Sequence, residues 1–542
     1  MSSFMKGTAI LTIGMFLSKV LGLIYVFPFY AIIGEKNVAL YSYAYIPYSI
    51  MLSIAISGAP VAVSKFVSKY NSRGDYASGR KLMRSGALIM ILSGIVCFAA
   101  LYLLADPIAG LVIKDDEQIF TTDQIASVIR WISFALIVVP FMSLTRGFFQ
   151  GYGHMTPTAV SQLVEQIVRI IVVLVGAFVL MKIFSGTAQT AISFALFASF
   201  IGAIGGLVVM WYYWKRYKPE FDLKLAESVD SNDFSYNKIY KEVLTYSIPY
   251  VFVGIASTLF QLIDMLTFNT AMAEIGLAKV SDLYLSMLNF TTQKIVMIPV
   301  MLATGFSMAL VPAITRFYTQ RKHGEVIETM DKTFQILLFV TLPAVIGISV
   351  LSYEIYAFLY SASDMGSQVL AHYAPVAILF ALFSVTAALL QGIDHQKWII
   401  FSLLVGILIK LSINIPMIKA FEADGAILAT TIGYIVTIGI NIGVIVKVLN
   451  YKPKRLLRRI VVIVVLTAIM AAVVFVADWL LGLVLPNPSN RWIAMIYLFI
   501  CGGIGVAVYG YLSLKLGIAQ KLLGSRFEKI ARKLHIKPIV GE

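Results

Sequence analysis

Apolar residues along this chain come in runs of 18 or more, repeated from one end to the other, with polar residues gathered in short stretches between them. A run of that length lets one helix cross the hydrocarbon of a bilayer. The pattern predicts about fourteen transmembrane helices. Six fall within residues 1–214, six within 243–446 and two within 447–514. Residues 215–242 are rich in Lys, Asp, Glu and Ser and read as a cytoplasmic linker. Residues 515–542 form a basic tail whose 521–537 portion reads as an interfacial helix or as a solvated basic end. The expected fold is an all-α polytopic membrane protein. The first run, residues 7–34, is too long for a signal peptide and holds Lys19, so it should remain as the first helix.

An internal repeat orders these groups. Residues 150–169 (QGYGHMTPTAVSQLVEQIVR) align without a gap with 391–410 (QGIDHQKWIIFSLLVGILIK). Both open with Gln-Gly-x-x-His; both place Ser (Ser161, Ser402), then Leu (Leu163, Leu404), and end on a basic residue (Arg169, Lys410). The end of the second span, Ser64-Lys65-Phe66, has a weaker echo in Thr315-Arg316-Phe317. Equivalent spans then recur in the same orientation. This predicts two six-helix lobes, an N-lobe (1–214) and a C-lobe (243–446), as a parallel pseudo-twofold repeat. The two helices of 447–514 have no copy.

Composition excludes other classes. Hydrophobic residues make up 59% of the 542 and charged ones 13%, where a soluble protein carries about 25% charged. Two cysteines, Cys97 and Cys501, both in apolar runs, provide neither a disulfide framework nor a metal site. The net charge of +15 follows topology. With the N-terminus inside, inner segments hold 31 Lys and Arg and outer segments six. That bias predicts cytoplasmic termini. It lays positive charge against anionic inner-leaflet lipids and requires no nucleic acid. No HExxH, GxxxxGK[ST] or GxSxG motif occurs, so no enzyme is expected.

Six basic residues fall inside or beside the spans: Lys19, Arg130, Arg146, Arg169, Lys294 and Lys410. Arg130 and Arg146 lie near span ends and read as snorkelling to headgroups. A charge at the bilayer centre costs about 2.5–3.5 kcal/mol, so a deep one normally faces a bundle interior or a wet cavity. Lys19 and Lys294 have no acid nearby in their own helices and suit an anionic substrate such as a phosphate. Glu165 precedes Arg169 by four residues and reads as a structural pair on one helix face. Asp264, deep in the seventh span, either pairs with Lys410 or binds a coupling proton or sodium ion. Asn414, one turn beyond Lys410, and Thr430 in the next span are candidates to line the same place. His154 and His395 read as turn residues, and Asp115, Asp116 and Glu117 as a solvated outer loop.

These residues carry a resemblance. SKVLGLIYVFPF from Ser18, SGAPVAVSKFVSKYNSRGDY from Ser57, RGFFQGYGHMTPTAVSQLVEQIVR from Arg146, QKIVMIP from Gln293 and ALVPAITRFY from Ala309 resemble the MurJ-type lipid II flippases of Gram-positive kind. That family lies in the multidrug/oligosaccharidyl-lipid/polysaccharide (MOP) exporter superfamily. The resemblance covers nearly the whole chain. It implies export of undecaprenyl-diphosphate-linked peptidoglycan precursor across the bacterial cell membrane by alternating access. It implies no cofactor, with resetting by membrane potential, H+ or Na+, and partners in cell-wall synthesis. It also implies lobes enclosing a V-shaped cavity, with the last two spans as a lipid-tail groove. The family's cavity cations on the first and eighth spans match Lys19 and Lys294; Tyr25 and Leu52 or Ser53 stand where proteobacterial members place further arginines. Asp264 matches the acid that superfamily cation sites draw on. A sister flippase for another polyprenyl-linked polysaccharide or spore-wall precursor is the alternative; a drug exporter and a membrane glycosyltransferase are remoter ones.

Overall fold

The computed structural model describes residues 3–523 apart from 57, 114–117, 230–235 and 452. Asp115, Asp116, Glu117 and the tail beyond Leu523, with most of the expected interfacial helix, lie outside the described residues. Every regular element within them is helical. The chain packs as two compact units, Met1–Leu283 and Tyr284–Glu542.

The first unit is built from α1 (Ser3–Ile24), α2 (Val26–Ile33), α3 (Val38–Ile56), α4 (Ala59–Asn71), α5 (Tyr76–Leu103), α6 (Ala105–Val112), α7 (Thr122–Ser133), α8 (Ala135–Gly151), α9 (Met155–Phe178), α10 (Ala188–Ala226) and α11 (Tyr236–Glu274). α12 (Ala278–Ser286) runs across the division. The second unit continues with α13 (Thr292–Thr319), α14 (His323–Val350), α15 (Ser352–Leu359), α16 (Asp364–Tyr373), α17 (Val376–Gly392), α18 (Lys397–Leu449), α19 (Lys454–Gly482), α20 (Arg491–Lys515) and α21 (Ile518–Leu523).

Among the described residues, twelve stretches are long and apolar enough to cross a membrane. One of them, α18, is 53 residues long and breaks at Glu422 (φ 52°, ψ −128°), so it holds two of the expected spans. α13, at 28 residues, supplies the expected eighth span. The fourteen spans of the sequence are thereby accounted for. The chain is a multi-pass, all-helical membrane protein.

Local chemistry explains the breaks. The second expected span divides between α3 and α4, where Gly58 takes the left-handed conformation and Pro60 opens the next helix. The polar stretch after the sixth span does not end the helix: α10 runs on to Ala226, through half of the expected linker. Lys and Glu favour helix as well as water. Phe221 holds this extension down, its ring 4.6 Å from that of Tyr152 and 5.5 Å from that of Phe148. His154 adds a contact of 3.3 Å to Glu220. It therefore fastens α10 to the end of α8, a larger part than the turn role read from sequence.

The repeat is visible inside each unit. The chain turns after Gln150-Gly151 with Gly153 at φ 80° and after Gln391-Gly392 with Asp394 at φ 60°. In the first turn the His154 amide bonds the Phe149 carbonyl at 2.9 Å; in the second the His395 amide bonds the Leu390 carbonyl at 2.8 Å. The repeated glycine sits on the span two places earlier in both copies. A methyl on Gly151 would lie 2.7 Å from Cβ of Val67 in α4, and one on Gly392 would lie 2.8 Å from Cβ of Ile314 in α13. Only glycine lets these backbones approach so closely.

The two unrepeated spans dock in the second unit. α19 and α20 share an apolar cluster with α14, including Phe339, Ile463, Leu466, Met470 and Cys501. The Tyr509 hydroxyl donates to the Phe339 carbonyl at 2.8 Å, tying α20 to α14.

Candidate functional site: lysines within the spans

α1 seats on α9 through a stripe of small residues. A methyl on Gly14 would come within 2.8 Å of Cβ of Ala159, and one on Gly22 within 2.9 Å of the Gln166 amide nitrogen. Ser18 lies between them on the same face and donates to the Gln162 carbonyl at 3.5 Å. Positions 14, 18 and 22 form one helix face. Lys19, one residue round from it, is turned off the contact and stands exposed. It forms no salt bridge among the described residues.

Lys294 is placed by a different device. The five residues Met287–Thr291 form a π-turn immediately before α13, a distortion often met at functional positions. The turn is pinned on several sides. Thr292 Oγ1 donates to the Met287 carbonyl at 2.6 Å, and the Tyr360 hydroxyl to the Thr291 carbonyl at 3.0 Å. The Tyr373 hydroxyl donates to Gln293 Oε1 at 2.7 Å. Lys294 follows directly, half-buried, with its ammonium 5.5 Å from the centre of the Phe290 ring. A rigid backbone holding a long cation beside an aromatic face suits recognition of an anion.

Three readings of the basic residues are corrected. Arg146 does not snorkel: it is 9% exposed, and its guanidinium donates to Ser161 Oγ at 2.8 Å and to Glu165 Oε2 at 2.7 Å. Glu165 is thereby taken by Arg146 from α8, and the expected ion pair with Arg169 on its own helix is not the one formed. Arg169 instead places its guanidinium 5.5 Å from the ring of Tyr25, whose hydroxyl is 3.1 Å from that of Tyr41. Where the resemblance has an arginine at position 25, this chain brings a cation there from α9. Arg130 likewise is not free at a span end, because it pairs with Asp106 in α6. In each case a neighbouring helix offers a carboxylate or a ring that the residue's own helix does not.

In the second unit Lys410 is completely buried and its ammonium donates to Thr430 Oγ1 at 2.7 Å. Of the expected trio, Lys410 and Thr430 meet, and Asn414 is completely buried one turn on from Lys410. The seam continues toward α17. Ser402 Oγ donates to Asn441 Oδ1 at 2.7 Å, and Asn441 Nδ2 to Thr386 Oγ1 at 3.3 Å. Asp264 is buried in α11 of the first unit.

The sequence reading missed one polar centre. Asp282 of α12 is completely buried in the first unit. It accepts from the Tyr43 hydroxyl of α3, from the Ile119 amide at 2.8 Å and from Asn269 Nδ2 of α11 at 3.2 Å. Burial raises its carboxyl above the ordinary range, and these donors pull against that rise. The four residues are scattered over the chain, and no spacing rule connects them.

Comparison with known proteins places the chain. Residues 4–318 match the family model described as polysaccharide biosynthesis protein. Over 538 residues the chain is 44% identical to Lipid II flippase MurJ of Bacillus subtilis (strain 168), covering 98% of this chain and 99% of that one. The chain belongs to the MurJ family. A more distant relative of this MurJ-family chain is Stage V sporulation protein B of the same organism, 24% identical over 481 residues, with 87% of this chain and 89% of that one covered. Among solved structures, Lipid II flippase MurJ in an inward closed conformation superposes with a TM-score of 0.64 at 16% identity, covering 97% of this chain and 99% of that one. That likeness establishes the MurJ fold for this chain.

Proposed function

We infer that the chain is a lipid II flippase of the bacterial cell membrane, moving undecaprenyl-diphosphate-linked peptidoglycan precursor from the inner to the outer leaflet. The carrying observation is the 44% identity to MurJ across 98% of the chain. It is a transporter and not an enzyme. Lys19 and Lys294 supply cations for the diphosphate: both lie in spans, Lys19 exposed and Lys294 half-buried beside the Phe290 ring. Both termini are cytoplasmic, which the count of 31 inner against six outer cations supports. The inner positive belt meets anionic inner-leaflet lipids. Membrane potential, H+ or Na+ resets the transporter, and cell-wall synthesis enzymes receive its product.

The test is complementation of a strain depleted of its own lipid II flippase. The parent chain should restore growth and outer-leaflet lipid II, while Lys19→Ala and Lys294→Ala, expressed at normal levels, should not. Growth supported by both alanine variants would remove the lysines from the site. A well-expressed parent that failed would favour the second reading, a sister flippase for another polyprenyl-linked polysaccharide or spore-wall precursor.

A further inference from the structure

Where α14 and α19 begin, the second unit carries a cleft in two joined parts. One is polar, about 470 Å³ in volume, and is walled by Glu328, Asp331 and Lys332 of α14, Arg459 of α19 and Lys521 of α21. The other is apolar, about 110 Å³, and is walled by Val462, Ile463, Ile518 and Leu522. Gln335, Arg459, Lys521 and Leu522 belong to both, so the two parts are continuous.

The polar part has a fixed centre. Arg459 Nη1 donates to Oε1 of Gln335, itself 2% exposed, at 2.8 Å. One of five guanidinium donors is thus used to aim the group. Arg459 is also the last cation before the apolar run of α19, which puts it at headgroup depth. Lys521 of α21 lines the same part, and Lys332 lies on the α14 wall. Asp331 is steadied by the Tyr451 hydroxyl. The three cations outnumber the two acids, and the acids occupy one side, on α14.

We propose that this cleft binds one resident phospholipid, distinct from the transported substrate. Its phosphodiester sits on Arg459 and Lys521, a guanidinium and an ammonium being the usual partners of a phosphate. The far end of the headgroup, a glycerol hydroxyl or an ammonium, donates to Glu328 and Asp331. The first methylenes of an acyl chain lie against Val462, Ile463 and Leu522, whose apolar side chains match them. The proposal requires that the chain span a membrane and is independent of what it transports.

The experiment is native mass spectrometry of the full chain in detergent, titrated with phosphatidylglycerol, phosphatidylethanolamine and phosphatidylcholine. The parent should retain one phosphatidylglycerol or phosphatidylethanolamine about tenfold more tightly than phosphatidylcholine, whose headgroup has no donor. Arg459→Ala with Lys521→Ala should lose about tenfold of that affinity. Val462→Trp, which leaves every charge in place and fills the apolar part, should lower it as well. Millimolar inorganic phosphate should not displace the lipid, since it lacks the chain. Equal retention by parent and both variants, or full displacement by inorganic phosphate, would overturn the proposal.

Discussion

Nη2 of Arg146 in α8 lies 2.7 Å from Oε2 of Glu165 in α9, and the same guanidinium donates to Ser161, whose hydroxyl donates in turn to the Gly206 carbonyl of α10. The repeat-equivalent positions in the second unit are Ala387, Ser402 and Gly406. One unit therefore fastens this helix pair with charge where the other uses neutral packing. Arg146→Ala should lower stability by about 1.5–3 kcal/mol, the range for a hydrogen bond to a charged group. Arg146→Ala with Glu165→Ala should cost less than the two single changes added together, because no carboxylate is then stranded. Thermal unfolding of the four proteins in detergent measures the coupling; additive effects would show that the pair contributes nothing.

The buried Lys410 ammonium donates one hydrogen bond to Thr430 Oγ1 at 2.7 Å. Thr430→Val keeps the shape and removes this acceptor. The expected loss is about 1–3 kcal/mol, and Thr430→Ser should recover most of it. If valine and serine variants melt together, the hydroxyl is not what holds the lysine.

Gly147 sets how closely α4 and α8 approach, since a methyl there would sit 2.3 Å from the backbone oxygen of Pro60. The obstacle is backbone and cannot swing aside. Gly147→Ala should cost about 1–3 kcal/mol by forcing the helices apart. Membrane-inserted yield and melting temperature should both fall; Gly110→Ala, where nothing lies within 4 Å, provides the control.

Tyr43 and Asn269 bring α3 and α11 to one carboxylate, Asp282. Tyr43→Phe should destabilise the protein by about 1.5–3 kcal/mol. Tyr43→Phe added to Asp282→Asn should cost little more than Asp282→Asn alone, because the charge the hydroxyl served has gone. Denaturation of the three variants distinguishes this from simple loss of volume.

Glu354 in α15 is 6% exposed, and burial, with the Asp478 carboxylate adding to it, pushes its carboxyl from the ordinary 4.5 up to about 7. A raised carboxyl holds its proton more firmly in the folded state than in the unfolded one. Its contribution is therefore complete below about pH 4.5 and is lost as pH rises through about 7. Melting temperature should decline over that window, and Glu354→Gln should flatten the decline. An unchanged slope in the glutamine variant would show that another group titrates there.

Much of the architecture was legible before any coordinates. Span number, helical class and the repeat follow from two short-range signals: the length of apolar runs and a twenty-residue echo. Both reflect constraints each segment meets by itself, since a backbone in hydrocarbon must satisfy its own hydrogen bonds. That Lys410 and Asn414 lie one turn apart was readable for a similar reason, while the Lys410–Thr430 bond is a product of packing. The polar stretch after the sixth span misled because its residues suit a helix in water as well as they suit a loop, and Phe221 supplied the deciding anchor.

The pairing of charges was decided by tertiary structure alone. Glu165 had an arginine four residues away on its own helix, yet it bonds Arg146 from the helix before, and the displaced Arg169 settles over Tyr25. The Asp282 centre likewise draws on α3, α11 and a loop far away in the chain. Sequence determines which residues are costly to leave alone in a membrane; only packing decides which helix arrives close enough to satisfy them, because an ion pair depends on a few ångströms of separation and not on distance along the chain.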